Sequence, residues 1–219
     1  MKIKKGERIA IVGESGCGKT TFLKMIMGYD NNYEGNMEIL GNELRQWPQK
    51  SLRKYISYCP QKPFLLSKSI FKNFSLFYNK VTKDELEQYA KIVDLNEKID
   101  SLPNGYDTLL KKGGENLSGD QKQRLALMIG LMKQSSIYLI DEGFSALDPE
   151  MTDKVLDKIF KAIKGTIIIV NHKLYHSLMT KFDRIFVMNN GKIVGTGSHH
   201  ELMGNEFYRN LYEKSKQEL

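Results

Sequence analysis

The sequence predicts an α/β protein in which a mainly parallel sheet carries an inserted helical lobe. Three observations lead there. Short apolar, β-branched runs sit toward both ends of the 219-residue chain, at residues 8–12, 137–140, 166–170 and 184–188. A glycine-rich loop joins the first of these runs to a helical segment. The stretch from Ser69 to about Leu131 reads mostly as helix. Short apolar runs bounded by turn residues read as buried strands, and strands alternating with helices favour a parallel sheet.

In chain order, Arg8-Ile9-Ala10-Ile11-Val12 is the first strand. A helix follows over Thr21 to Met27 and stops at Gly28. Met37 to Leu40 and Tyr55 to Tyr58 read as short strands. Within the helical stretch, Asp84 is expected to cap a helix over Glu85 to Val93, and Ser118 one over Gly119 to Lys133. Ile137 to Ile140 returns to strand. Pro149 opens a helix through Ile163, with Val155, Leu156, Ile159, Phe160 and Ile163 facing inward. Thr166 to Val170 and Arg184 to Met188 are strands, and Lys192 to Val194 is a last short one after the Asn189-Asn190-Gly191 turn. From His200 the tail is helical and amphipathic.

Composition narrows the function classes. Apolar residues make up 41% and charged residues 27%, an ordinary globular balance. No apolar stretch approaches bilayer-spanning length, and residues Met1 to Glu7 lack an apolar signal core. The expected location is therefore the cytosol or the cytosolic face of a membrane assembly. The net charge of +7 comes from 33 basic and 26 acidic residues. Lysines are dispersed and interleaved with acids such as Asp153 and Asp157, so solvated faces account for the charge and no nucleic-acid partner is expected. Two cysteines, Cys17 and Cys59, do not form a disulfide framework.

The chemistry begins at Gly13-Glu14-Ser15-Gly16-Cys17-Gly18-Lys19-Thr20, a complete match to GxxxxGK[ST] between a strand and a helix. Glycines let backbone wrap closely around phosphates. The helix start aims free N–H groups at an anion. Lys19 supplies a point charge to the β and γ phosphates of a nucleotide, and the Thr20 hydroxyl is placed to coordinate Mg²⁺, with Thr21 completing the binding segment. Cys17 is either a small residue that fits the loop or, at a helix N-terminus, a reactive thiol that nucleotide would shield. The second acidic site is Ile137-Tyr138-Leu139-Ile140-Asp141-Glu142, an apolar strand ending in two acids. Carboxylates at such strand ends face the ligand crevice of an open α/β sheet. Asp141 suits Mg²⁺ held through water, and Glu142 suits a base that polarises the attacking water.

With these motifs in hand, Asn116-Leu117-Ser118-Gly119-Asp120-Gln121 resembles the signature of ATP-binding cassette (ABC) proteins, usually LSGGQ. Cys59-Pro60-Gln61 resembles that family's Q-loop, Ser145-Ala146-Leu147-Asp148 its D-loop, and Asn171-His172 its switch histidine. The resemblance covers nearly the whole chain. It implies a P-loop NTPase (RecA-like) core with an inserted ABC helical subdomain. Residues 1–62 and 134–199 would form the core, 63–133 the subdomain, and 200–219 a C-terminal helical tail. It implies two copies, as a homodimer or pseudo-dimer, sandwiching ATP, with Ser118 and Gly119 serving the partner's nucleotide. Gln61 would meet Mg²⁺, and Gln61 and His172 would sense the γ-phosphate beside Glu142 and Lys19. The segments Phe64 to Asn73 and Leu102 to Thr108 resemble the exporter branch, which implies transmembrane domains, fused or separate, and a place on the cytoplasmic side of the cell membrane. A non-transport ABC ATPase, associated with translation or DNA, and a weakly active regulatory fragment are the alternatives.

The chain also departs from the family pattern. Only residues 1–12 precede the phosphate loop, where the family has strands bearing an adenine-stacking aromatic, so the sequence resembles a fragment or a shortened subunit with weak adenine affinity. Asp120 replaces the second signature glycine. It would either repel the partner's γ-phosphate or point to solvent in the first helical turn, where acids are favoured. Leu110-Lys111-Lys112-Gly113-Gly114 stands where exporters often carry an acidic coupling loop. Met128-Ile129-Gly130 replaces the usual Ala-Arg-Ala.

Overall fold

The computed structural model describes residues 2–30 and 33–217. Residues 218 and 219 of the expected tail lie outside the described residues, as does Met1. The chain forms two compact units. The first comprises residues 1–58, 135–142 and 165–219, and the second residues 59–134 and 143–164.

In the first unit, β1 (Arg8–Val12) leads through the phosphate loop into α1 (Lys19–Ile26). A small antiparallel pair follows, β2 (Glu38–Ile39) and β3 (Asn42–Glu43), then α2 (Gln49–Tyr55) and β4 (Ile56–Cys59). The second unit contributes α3 (Ile70–Ser75), α4 (Lys83–Ile92), α5 (Asn96–Asp100) and α6 (Gly119–Leu131). The chain returns to the first unit for β5 (Ile137–Asp141) and leaves it again for α7 (Pro149–Ala162). The first unit closes with β6 (Thr166–Val170), α8 (His176–Met179), β7 (Arg184–Asn189), β8 (Lys192–Gly197), α9 (His199–Leu202) and α10 (Glu206–Gln217).

The main sheet runs β4-β5-β6-β1-β7-β8. The pairs β5/β6, β6/β1 and β1/β7 are parallel, and β7/β8 is antiparallel. Strands buried on both faces need continuous apolar side chains, and Thr166-Ile167-Ile168-Ile169-Val170 is buried throughout. The edge strand β8 is largely solvent-facing and extends to Gly197, beyond the expected Val194. On one side of the sheet, Leu23 and Ile26 of α1 pack with Leu44, Leu52, Ile168 and Phe186 in one apolar cluster.

The expected strands and inward positions largely recur. All of Val155, Leu156, Ile159, Phe160 and Ile163 are buried. The corrections concern helix ends. The cap of α4 is Thr82 rather than Asp84: its hydroxyl accepts from Glu85 N, and Glu85 bonds back to Thr82 N at 3.0 Å. Asp84 therefore lies inside the first turn, where a carboxylate still complements the helix dipole. The tail breaks into α9 and α10. Ser198 caps the first, and Asn205, before Glu206, accepts a bond from Tyr208 N.

In the second unit, ionic contacts join the end of α4 to α7. Asp94, with φ of 58°, meets Lys154 Nζ at 2.9 Å and Lys158 Nζ at 2.6 Å. Burial alone would raise the Asp94 pKa, but the bonds from both lysines outweigh it and hold the carboxyl below its usual value. Arg124 of α6 donates to Asp94 O at 2.5 Å.

Candidate nucleotide site

The sheet register creates the site. Asp141 of β5 pairs with Val170 of β6, and Val170 pairs with Ile11 of β1. Three neighbouring parallel strands thus end side by side, and ligands of open α/β sheets gather beyond such carboxyl ends. Main-chain bonds continue the alignment past the strands: Glu142 N donates to Val170 O at 3.1 Å, and Asn171 N to Ile11 O at 3.1 Å. The loops carrying Lys19, Asp141-Glu142 and His172 leave from one edge for that reason.

The phosphate loop spans Gly13 to Thr20, with Glu14, Ser15 and Gly16 exposed and Thr21 exposed just beyond. A Cβ at Gly13 would stand 2.2 Å from Met188 O, so no side chain fits there. Gly16 has φ of 79° with open space where its Cβ would be. Gly18 precedes α1 at φ of 104° and gives no side-chain cap, and the first turn contains no acid. The orphan N–H groups of a helix start are therefore left to solvent or to an anion. Lys19 is 4% exposed. Its Nζ donates to Gly13 O and Glu14 O, each at 2.8 Å. Burial lowers its pKa, while Cys17, Glu142 and Asp141 act in the opposite direction.

Cys17 corrects an expectation. Its side chain is buried in the apolar cluster with Leu23 and Ile168, with Sγ 3.9 Å from Lys19 Nζ, so it is not the accessible thiol that its place in the loop suggested. Cys59 is likewise buried, and burial pushes its thiol up to about 12.

Thr20 Oγ1 donates to Asp141 Oδ1 at 3.1 Å. Asp141 is 1% exposed, and its Oδ2 accepts from the Tyr58 hydroxyl at 3.0 Å. Hydroxyl and carboxylate oxygens at one point are the hard donor set that Mg²⁺ takes. The loop geometry and the buried ammonium of Lys19 fit a polyphosphate in the same way. Glu142 Oε1 lies 2.5 Å from His172 Nε2, which donates the bond. Glu142 sits at φ of 52°, in the left-handed region, where a non-glycine residue costs about 1 kcal/mol or more.

Sequence reasoning missed Tyr58, the left-handed backbone of Glu142 and its direct pairing with His172. For Tyr58 the sequence offered only a phenol in a short strand, and the strand order that sets it beside Asp141 comes from the structure.

Gln61, Ser118 and Gly119 belong to the second unit, and all are exposed. At the start of α6, Ser118 N donates to Gln121 Oε1 at 3.2 Å, and Ser118 Oγ donates to Asp120 Oδ1 at 2.5 Å. Asp120 Oδ2 also meets Arg124 Nη2 at 2.6 Å. Burial would raise the Asp120 pKa, but the bonds from Ser118 and Arg124 prevail and lower it. Asp120 thus neither points freely to solvent nor stands unpaired. Gln123 Nε2 bonds Ser145 Oγ at 3.0 Å, and Gln123 Oε1 accepts from Ala146 N at 2.7 Å, which fixes the loop before α7 to α6. At Met128-Ile129-Gly130, the Tyr78 hydroxyl donates to Ile129 O.

A sequence model of the ABC transporter family matches residues 1–145. The chain is 36% identical over 207 residues to multidrug resistance protein pgp-1 of Caenorhabditis elegans, covering 94% of this chain and 16% of that one. It is 35% identical over 215 residues to the pediocin PA-1 transport/processing ATP-binding protein PedD of Pediococcus acidilactici, covering 96% and 29%. Among solved structures, a bacterial Atm1-family ABC exporter with ATP bound superposes with a TM-score of 0.90 at 32% identity, over 96% of this chain and 37% of that chain. The chain spans less than a third of the length of these curated relatives. Matched over more than half of its residues by the family model and over nearly all of them by these relatives, the chain belongs to the ABC transporter family.

Proposed function

We propose that this chain is the ATP-binding and ATP-hydrolysing domain of an ABC exporter, acting at the cytoplasmic side of the cell membrane. The observation that carries the reading is the alignment of Lys19, Asp141 and the Glu142–His172 pair on three adjacent strand ends. Among the described residues no helix is long and apolar enough to cross a membrane, so in this reading the transmembrane domains lie outside residues 2–217. Residues 1–62 and 134–199 serve as core, 63–133 as helical subdomain and 200–219 as tail.

The residues divide the work. Gly13 to Thr21 wrap the ATP phosphates, with Lys19 as the cation. Thr20, Asp141 and Gln61 would hold Mg²⁺, which would supply neutralising charge to the ATP phosphates. Glu142 orients and deprotonates the attacking water as general base, and His172 fixes the Glu142 carboxylate and follows the γ-phosphate. Ser118 and Gly119 serve the nucleotide of a second copy in a homodimer or pseudo-dimer.

Replacing the base tests the reading. Glu142→Gln should lower kcat by about 10²–10³ while ATP binding persists. Light scattering should then detect an ATP-dependent dimer. A variant with parental kcat would remove Glu142 from the chemistry.

A further inference from the structure

Asp141 is a buried carboxylate with a hydroxyl donor on each oxygen, and only one of the two belongs to the nucleotide loop. Thr20 Oγ1 reaches Oδ1 at 3.1 Å, and the Tyr58 hydroxyl reaches Oδ2 at 3.0 Å. Thr20 opens α1, and its oxygen is itself a ligand in the function proposed above. Tyr58 lies in β4, beside β5 in the sheet, and belongs to no part of the phosphate loop. A donor anchored in the sheet orients the carboxylate whether or not the loop is loaded. A hydrogen bond to an ionised acceptor is about twice as strong as one between neutral groups. At 1% exposure Asp141 has little water to replace a lost donor.

We propose that Tyr58 is a positioning residue for the divalent cation: its hydroxyl fixes Asp141 Oδ2 and so presents Oδ1 beside Thr20. This rests on the reading of Thr20 and Asp141 as the metal-holding pair. Partners behind the direct ligands commonly change metal affinity by about 10–100-fold when removed. Tyr58 is none of the phosphate, base or signature residues, so its effect should be confined to the metal.

The test uses the 219-residue chain and its Tyr58→Phe variant, which keeps the ring and loses only the hydroxyl. Mn²⁺ is the probe, titrated against chain saturated with ATP and followed by electron paramagnetic resonance. The expected result is a half-saturating Mn²⁺ concentration about tenfold higher in the variant. Metal-free ATP binding and melting temperature should match the parent. Equal Mn²⁺ affinity in the two chains would overturn the proposal. So would a variant that loses metal-free ATP binding and thermal stability together with Mn²⁺, because that pattern marks a packing role. A parent that takes up no Mn²⁺ with ATP would instead overturn the underlying metal reading, and the inference with it. The parent titration separates that failure from the others.

Discussion

Two helix starts in this chain have similar sequence signals and opposite local chemistry. At α1 the residue before the helix is Gly18, which caps nothing, and the first turn has no acid. The cation beside it, Lys19, is buried and held by two carbonyls of its own loop. At α6 the preceding residue is Ser118, and its hydroxyl and amide are both engaged within the first turn, by Asp120 and Gln121. Asp120 is in turn neutralised by Arg124. An uncapped start leaves N–H groups ready for an external anion. A start closed by its own side chains must break internal bonds before it can serve one. The difference separates the two halves of the proposed mechanism: the first unit offers uncapped helix-start amides, and the second holds the Ser118 hydroxyl and amide in bonds of its own first turn.

Removing the charge at the open start should have the larger effect. Lys19→Ala deletes an ammonium that would make charge-assisted bonds to phosphate, each contributing about 1.5–3 kcal/mol. With two such bonds lost, ATP affinity measured by calorimetry should fall at least about a hundredfold. An undiminished affinity would erase the contrast, because the open start would then need no cation.

The closed start should respond in the opposite sense. Asp120→Gly removes the acceptor that holds the Ser118 hydroxyl, a bond whose net value is about 1 kcal/mol, and removes a negative charge near an incoming phosphate. ATP turnover should rise about threefold to tenfold at high chain concentration, where dimers form. Asp120→Asn keeps an acceptor without the charge, and an intermediate rate would apportion the two causes. Unchanged rates in both variants, with parental melting temperatures, would mean that the Ser118–Asp120 bond does not oppose closure.

Much of this was legible in the sequence because the signals are local. The phosphate loop needs strand, glycines and helix in immediate succession, and residues 8–26 supply them. The inward face of α7 follows from helical spacing alone. What was not legible depends on strand order. Nothing in the sequence says that β6 lies between β5 and β1, yet that order brings His172 to Glu142. The same holds for Tyr58 and Asp141, 83 residues apart and joined only because β4 neighbours β5. The placement of Cys17 has a related cause. Its position in the loop suggested exposure, but the backbone turn directs its side chain inward to Leu23 and Ile168. At α4 the sequence pointed to Asp84 as the cap, and the reciprocal Thr82–Glu85 bonds place it two residues earlier, at Thr82.

In the proposed function this chain grips a nucleotide by its phosphates at the α1 start. Titrating ATP, ADP and AMP into the unmodified chain with Mg²⁺ measures that grip directly. Affinity should fall steeply as phosphates are removed, with AMP bound at least about a hundredfold more weakly than ATP. Equal affinity for all three would place recognition on the nucleoside and contradict it.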